Sequence, residues 1–159
     1  MKILSIVKLI VAILICQLAG FIGSIFTTPS IPTWYAGLQK PTFSPPNWLF
    51  FPVWTILFIL MGISLYLVWN KLAKNKEAKK SLVVFGVQLT LNILWSILFF
   101  GLKSPLYAFV EIIALWLAIA FTVFKFYRIS KNAGLLLIPY ILWVTFAAFL
   151  NFNIWILNP

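Results

Sequence analysis

Five long apolar segments account for most of the chain, and they constrain its fold more than any other feature of the sequence. A helix needs about 20 apolar residues to cross a hydrocarbon core about 30 Å thick. Each segment has roughly this length, so the sequence predicts an all-α integral membrane protein, a bundle of five transmembrane helices that forms a single domain over residues 1–159. The predicted helices cover residues 3–26, 48–69, 81–101, 106–127 and 134–157.

The composition favours a membrane protein over a water-soluble one. Apolar residues make up 64% of the chain and charged residues 9%, against about 45–50% and about 25% in soluble domains. Lys2 and Lys8 precede the first apolar segment as they would in a signal peptide. This segment continues to Phe26, however, and no suitable cleavage site follows it. We therefore expect the first helix to be retained.

The distribution of basic residues predicts the orientation. Of the 12 Lys and Arg residues, only Lys40 and Lys103 fall on the side of the first loop. Cytoplasmic segments of membrane proteins are enriched in Lys and Arg. We therefore expect a multi-pass protein of a prokaryotic cell membrane, with a cytoplasmic N-terminus and with the first loop and the C-terminus outside. The net charge of +10 is then explained by topology, and no nucleic-acid partner is expected.

The residue inventory excludes several kinds of site. The chain has no His and one Cys, Cys16, and its only acidic residues are Glu77 and Glu111. These residues cannot supply a histidine- or cysteine-rich metal site, a carboxylate cage or a disulfide. There is no acid–base or nucleophile constellation either. The sequence thus predicts no metal site and no required cofactor, and it does not favour conventional catalysis.

The connections between the segments differ in character. Residues 27–47 contain five prolines among aromatic residues, which predicts a stiff, non-helical first loop. Residues 70–80 are predicted to form a short, solvated, basic loop. Because function concentrates in loops held on a rigid scaffold, the long first loop is the place to look for a site.

The eight Trp residues fall into two groups. Four lie near predicted helix ends, where an indole suits the headgroup region of a bilayer: Trp34, Trp48, Trp69 and Trp155. The other four lie within predicted spans, where the indole N–H needs a partner, and they are candidates for packed or ligand-lined positions: Trp54, Trp95, Trp116 and Trp143.

Polar residues within spans form a second group of candidates. Gln88 and Asn92 share one face of the third helix with Trp95, and this face either makes interhelical hydrogen bonds or contacts a ligand. Glu111 is the one acidic residue within a span. It is expected to be protonated or to pair with a group of the first loop such as Lys40, and a functional and an interfacial role both remain open.

The fifth segment combines a proline with small and aromatic residues. Pro139 predicts a kink near its start. Trp143 and Ala147 are four residues apart and form either a close helix contact or a pocket wall. Asn151 and Asn153 lie near the far end of the segment and are expected to reach water.

Several long motifs resemble one known family over essentially the whole chain. They are WYAGLQKPTFSPPNW (34–48), PVWTILFILMGISLYLVW (52–69), QLTLNILWSILFFG (88–101) and LLIPYILWVTFAAFLN (136–151). In these motifs the chain resembles the TspO/MBR family of tryptophan-rich sensory proteins and translocator proteins, also known as peripheral-type benzodiazepine receptors. The resemblance implies a five-helix bundle whose first loop is a lid over a pocket.

The resemblance also implies a ligand class and a set of pocket residues. The ligands of the family are tetrapyrroles such as protoporphyrin IX and haem, together with isoquinoline- and benzodiazepine-type molecules. Carried over by motif, the ligand-binding positions are Tyr35, Trp54, Asn92, Trp95, Trp143, Ala147 and Leu150.

The chain departs from the family pattern at several positions. Phe43 stands where the loop of the family has a Trp. Phe152 and Ile156 replace the Tyr and the basic residue of the cholesterol motif, so cholesterol binding is not expected. Val83 and Val87 replace a GxxxG pair linked to dimerisation. A homodimer through another surface stays open.

Three functions are compatible with the resemblance. The favoured one is a receptor or sensor that binds tetrapyrroles in sensing or trafficking. The second is an enzyme that degrades porphyrin photo-oxidatively, with Trp side chains as redox partners. The third is a transporter, although the chain shows no inverted repeat.

Overall fold

The computed structural model describes residues 2–159, and this part of the chain is all-α. Its helices form five spans that are long and apolar enough to cross a membrane, which confirms the predicted fold class. The helices are α1 (Lys2–Ser30), α2 (Asn47–Trp69), α3 (Lys76–Ser96), α4 (Pro105–Ile129), α5 (Lys131–Leu136) and α6 (Ile138–Leu157). The fifth span comprises α5 and α6, and α3 is continued by a π-helical turn over Ile97–Gly101.

The spans form a closed ring. α1 packs between α2 and α3, α4 packs between α3 and the fifth span, and α2 contacts the fifth span mainly through α5. α1 and α2 approach most closely at Gly62, where an added Cβ would lie 2.5 Å from the Cα of Ile13. The outward faces of the spans are apolar, with Leu14, Phe121 and Leu142 all more than two-fifths exposed. These faces suit contact with lipid, and the chain is an integral, multi-pass membrane protein.

The two ends of the bundle differ in charge. We call the end that carries residues 31–46 the loop end and the opposite end the basic end. The basic end holds the N-terminal turn of α1, residues 70–75 and the connection at Ser130. There Glu77 accepts a hydrogen bond from Lys80 at 3.1 Å and lies 3.6 Å from Lys125. The predicted grouping of basic residues is present, whereas the side of the membrane that each end faces stays a prediction.

Two helices extend four or more residues beyond the predicted limits. α1 continues to Ser30 although residues 27–30 were predicted to be non-helical, and Thr33 donates from Oγ1 to the carbonyl of Pro29 at 2.8 Å. α3 begins at Lys76 rather than Ser81, because Asn75 caps it by accepting a hydrogen bond from the backbone N–H of Glu77. Apolar length therefore located these helices but not their ends, and the start of α3 depends on the side chain of Asn75.

The fifth span is broken where Pro139 predicts a kink. α5 ends at Leu136 and α6 begins at Ile138. Pro139 has no N–H to donate to the carbonyl of Leu135, so the α-helical ladder is interrupted there. The amide of Leu137 instead donates to the carbonyl of Gly134 at 3.1 Å.

Candidate functional site

An apolar cavity of about 490 Å³ lies at the loop end of the bundle. This volume is within the range of small-molecule sites. Its walls come from α1, α2, α3 and α6, and the first loop covers it. All seven residues proposed by the family resemblance line this one cavity, and their role toward a ligand stays a prediction: Tyr35, Trp54, Asn92, Trp95, Trp143, Ala147 and Leu150.

Aromatic neighbours fix the orientation of the cavity indoles. Trp95 stacks on Phe99, with centroids 5.1 Å apart and an interplanar angle of 21°. Trp54 stacks on Phe58 at 5.5 Å. These phenyl rings also line the cavity, yet nothing in the sequence distinguishes them among the 16 Phe residues of the chain. The cavity therefore presents flat, ordered, apolar walls.

A polar chain crosses the bundle at the inner end of the cavity. Asn92 donates from Nδ2 to the hydroxyl of Tyr140 at 2.9 Å, and this hydroxyl donates to Oε1 of Gln88 at 2.8 Å. The interhelical interpretation of this helix face is therefore confirmed at Asn92, which also lines the cavity, while its contact with a ligand stays a prediction. Gln88 belongs only to the interhelical network.

Asn151 lies on the cavity wall rather than in water. It is 1% exposed, accepts from Nε1 of Trp95 at 3.0 Å and donates to the carbonyl of Pro105 at 2.8 Å. The expectation that this residue reaches water was wrong, because the first loop and the turn before α4 cover the end of α6. Asn153 instead donates to the carbonyl of Phe149 on its own helix.

Trp143 differs from Trp95 and Trp116 in the hydrogen bonding of its indole. Nε1 of Trp95 is occupied by Asn151, and Nε1 of Trp116 donates to Thr145 at 2.8 Å. Nε1 of Trp143 is buried and has no hydrogen-bond partner among the described residues. A buried donor without an acceptor is costly. Trp143 also lines the cavity, so a wall residue of the cavity carries a buried donor without a partner.

Tyr35 connects the first loop to the cavity. The residue starts a short 3₁₀ turn over Tyr35–Gly37, is 3% exposed and packs against Phe100 with centroids 5.8 Å apart. Nζ of Lys40 lies 4.6 Å from the ring centroid. Burial raises the pKa of the Tyr35 hydroxyl above its ordinary value, so at neutral pH the group is a phenol that can donate a hydrogen bond.

The remainder of the loop is fastened to the end of α6. The backbone N–H of Gln39 donates to Oδ1 of Asn158 at 3.0 Å, and Nδ2 of Asn158 donates to the carbonyl of Gln39 at 2.8 Å. Phe43 stacks on Phe149 at 5.2 Å. The phenyl ring that stands in place of the indole of the family pattern thus packs on α6. We call the first loop, held to α6 by these contacts, the roof of the cavity.

Of the two alternatives for Glu111, pairing with Lys40 was wrong, whereas a protonated carboxyl group stays a prediction. Both carboxylate oxygens of Glu111 are buried without a hydrogen-bond partner in residues 2–159. Lys40 instead donates to the carbonyl of Leu38 at 3.3 Å. Neither residue lines the cavity, to which α4 contributes no side chain.

Comparison with known proteins gives consistent results across the chain. Residues 12–156 match the family model described as the TspO/MBR family. A tryptophan-rich protein TspO of Archaeoglobus fulgidus is 51% identical over 155 residues, which cover 98% of this chain and 99% of that protein.

More distant relatives are similar over most of their length. The translocator protein of Homo sapiens is 40% identical over 142 residues, which cover 87% of this chain and 83% of that protein. A tryptophan-rich sensory protein of Cereibacter sphaeroides is 35% identical over 125 residues, with 79% and 77% covered. With a family match over nearly all of its length and these identities, the chain belongs to the TspO/MBR family of membrane proteins.

Proposed function

We propose that the protein is a membrane receptor that binds tetrapyrroles, such as protoporphyrin IX and haem, in the cavity at the loop end and serves in their sensing or trafficking. The observation that carries this proposal is the cavity itself, whose apolar walls include the flat, stacked rings of Trp54 and Trp95. A tetrapyrrole is a broad, flat, apolar π-system with propionates at one edge.

The distribution of polar groups supports a defined orientation of the ligand. The stacked rings of Trp54 and Trp95 offer faces for the macrocycle. Lys40 and the phenol of Tyr35 lie at the roof, where propionates would reach the membrane surface. Smaller flat molecules of the isoquinoline or benzodiazepine type meet the same walls and are proposed to compete for the cavity.

Packing, rather than iron ligation, is proposed to hold the ligand. The side chains that line the cavity include no His, Cys or Met. The phenol of Tyr35 has a raised pKa and is therefore a poor source of the phenolate that could ligate iron.

A titration with and without iron tests the proposal. Protoporphyrin IX added to the purified protein should quench Trp fluorescence saturably, and haem should bind within about threefold of the same affinity. A Trp69→Phe variant, altered outside the cavity, serves as the control. Absence of saturable quenching by either compound would remove the proposed function, and binding of haem alone would show that iron ligation contributes.

Photo-oxidation of the bound porphyrin is a second candidate, since three indoles line the cavity. Illumination of the complex would then decrease the absorbance of the porphyrin over several turnovers. With a receptor, the absorbance of the porphyrin would stay unchanged. Transport through one copy is less well supported. The residues that line the cavity reach no further toward the basic end than Gln17, Phe58 and Asn92. Net flux into sealed vesicles would favour transport.

A further inference from the structure

The walls of the cavity are unequal in their exposure. On the side of α3 and α6, Phe99 is 2% exposed and Ile154 is 1% exposed. On the side of α1 and α2, two residues that line the cavity also face outward: Phe21 is 64% exposed and Phe51 is 80% exposed. The most exposed of these residues thus lie on the wall of the cavity that α1 and α2 form.

This wall lies at the depth of the bilayer. Phe51 and Thr55 follow the start of α2 at Asn47 by four and eight residues, which places them about 6 and 12 Å along the helix axis. Facing them, α1 contributes the small side chains of Ser24 and Thr28, which also line the cavity. We call the gap between these residues of α1 and α2 the window.

The lower edge of the window is fixed. Gln17 of α1 donates from Nε2 to the carbonyl of Thr55 at 3.0 Å and so joins the two helices. Just above it, an added Cβ at Gly20 would lie 2.6 Å from the ring of Phe58. Toward the basic end the helices are in direct contact, with the hydroxyls of Ser5 and Tyr66 hydrogen-bonded. The residues of α1 and α2 that line the cavity all lie in the loop-end half.

The roof is less suited to be the entrance. Two reciprocal hydrogen bonds join Gln39 to Asn158, and Phe43 is stacked on Phe149. Admission through the roof would break these contacts. Admission through the window would displace only lipid chains.

We propose that the cavity is loaded sideways from the bilayer through this window. The ligands would be amphiphiles that have first dissolved in the loop-end half of the membrane, with a flat apolar body among the acyl chains and a polar edge at the surface. Ser24, Thr28 and Phe51 would then set the width of molecule that passes. The ligand class rests on the proposed function, whereas the route rests on the geometry alone.

The route is tested with a thiol inside the cavity. Ala147→Cys is introduced in a Cys16→Ala background, the protein is placed in liposomes, and the rate of its modification by the flat, hydrophobic N-(1-pyrenyl)maleimide is measured. Ser24→Trp and, one turn further along, Thr28→Trp narrow the window. Ile25→Trp adds the same ring at the adjacent position of α1, which is 56% exposed and lies outside the cavity. Asn158→Ala releases the roof.

We expect Ser24→Trp and Thr28→Trp to slow the modification at least tenfold, while Ile25→Trp and Asn158→Ala stay within about twofold of the parent. Circular dichroism and size-exclusion profiles establish that each variant is folded, and either folded window variant is sufficient. Unchanged rates in a folded window variant would overturn the proposal. So would acceleration by Asn158→Ala, or faster modification by a charged, water-soluble maleimide. Because no tetrapyrrole is used, failure here is distinguishable from failure of porphyrin binding.

Discussion

Trp95 and Trp143 show how one residue type takes two roles in the same cavity. Asn151 accepts the N–H of Trp95, so this indole presents only its ring face, and the ring is further held by Phe99. The indole of Trp143 contacts Phe50 and Phe146, but its N–H has no acceptor in the described chain. The difference lies in the partner of the nitrogen and could not be read from the spacing of the two tryptophans.

Substitutions at Trp143 should therefore distinguish contact of its ring with a bound porphyrin from packing of the ring between helices. Aromatic contact contributes about 0.5–1.5 kcal/mol beyond area burial, so Trp143→Phe should weaken protoporphyrin binding by about tenfold or less. Trp143→Ala should weaken it more, because it also loses buried area. Fluorescence titration measures both effects. If Trp143 only packs between helices, Trp143→Ala will lower thermal stability and leave the affinity of the folded fraction unchanged.

Asn151→Ala should destabilise the protein because it leaves two buried polar groups without a hydrogen-bond partner. The substitution removes the acceptor of Trp95 and the donor to the carbonyl of Pro105. An unsatisfied buried group costs about 1–3 kcal/mol, so unfolding in detergent should become easier by about 2 kcal/mol. Asn153→Ala is the matched control, since its side chain bonds only its own helix. Equal losses in the two variants would contradict the role of Asn151.

At the scale of the elements, apolar length predicted which segments are helices but not where they end. Lys76 and Lys80 are helical because the side chain of Asn75 caps α3 outside the apolar stretch. Asn151 was placed in water because it is polar and near a helix end, and that inference failed because the first loop folds back over α6. Whether a loop covers a helix end is decided by contacts between distant parts of the chain.

The roof offers a prediction about the first loop as an element. Asn158→Ala removes both hydrogen bonds to Gln39. With a net contribution of about 1 kcal/mol each, the amides of residues 39–44 should exchange with solvent at least tenfold faster. Hydrogen–deuterium exchange with mass spectrometry measures this, with Asn153→Ala as the control. Unchanged exchange would mean that Phe43 and Tyr35 hold the loop without the amide pair.

At the scale of the whole molecule, the charge distribution predicts how the bundle sits in the membrane. If the basic end faces the cytoplasm, a cysteine at Lys76→Cys should resist an impermeant thiol reagent in intact cells, while one at Thr42→Cys should react. Both are made with Cys16→Ser as background. The reverse pattern of labelling would overturn the inference from the positive-inside bias.

The residues of the candidate site could be predicted where they belong to motifs of the family. Seven residues from four separate motifs meet at one cavity, which composition alone could not have indicated. Pairing of Glu111 with Lys40 was one of two alternatives, and it rested only on their expected position along the membrane axis. The ring order of the spans decides which side chains face each other, and α4 lies away from the cavity.

The cavity occupies only the loop-end half of the bundle, so the two halves of the protein differ in what they contribute. The basic-end half is solidly packed, with Gly62 against Ile13 and the rings of Phe85 and Phe126 stacked at 5.5 Å. That half can hold the five spans together whatever occupies the other. Substitutions at cavity side chains that make no hydrogen bond to another helix, such as Ala147, should then reshape the cavity while the basic-end half keeps the bundle together. A single architecture can in this way come to enclose cavities of different shape.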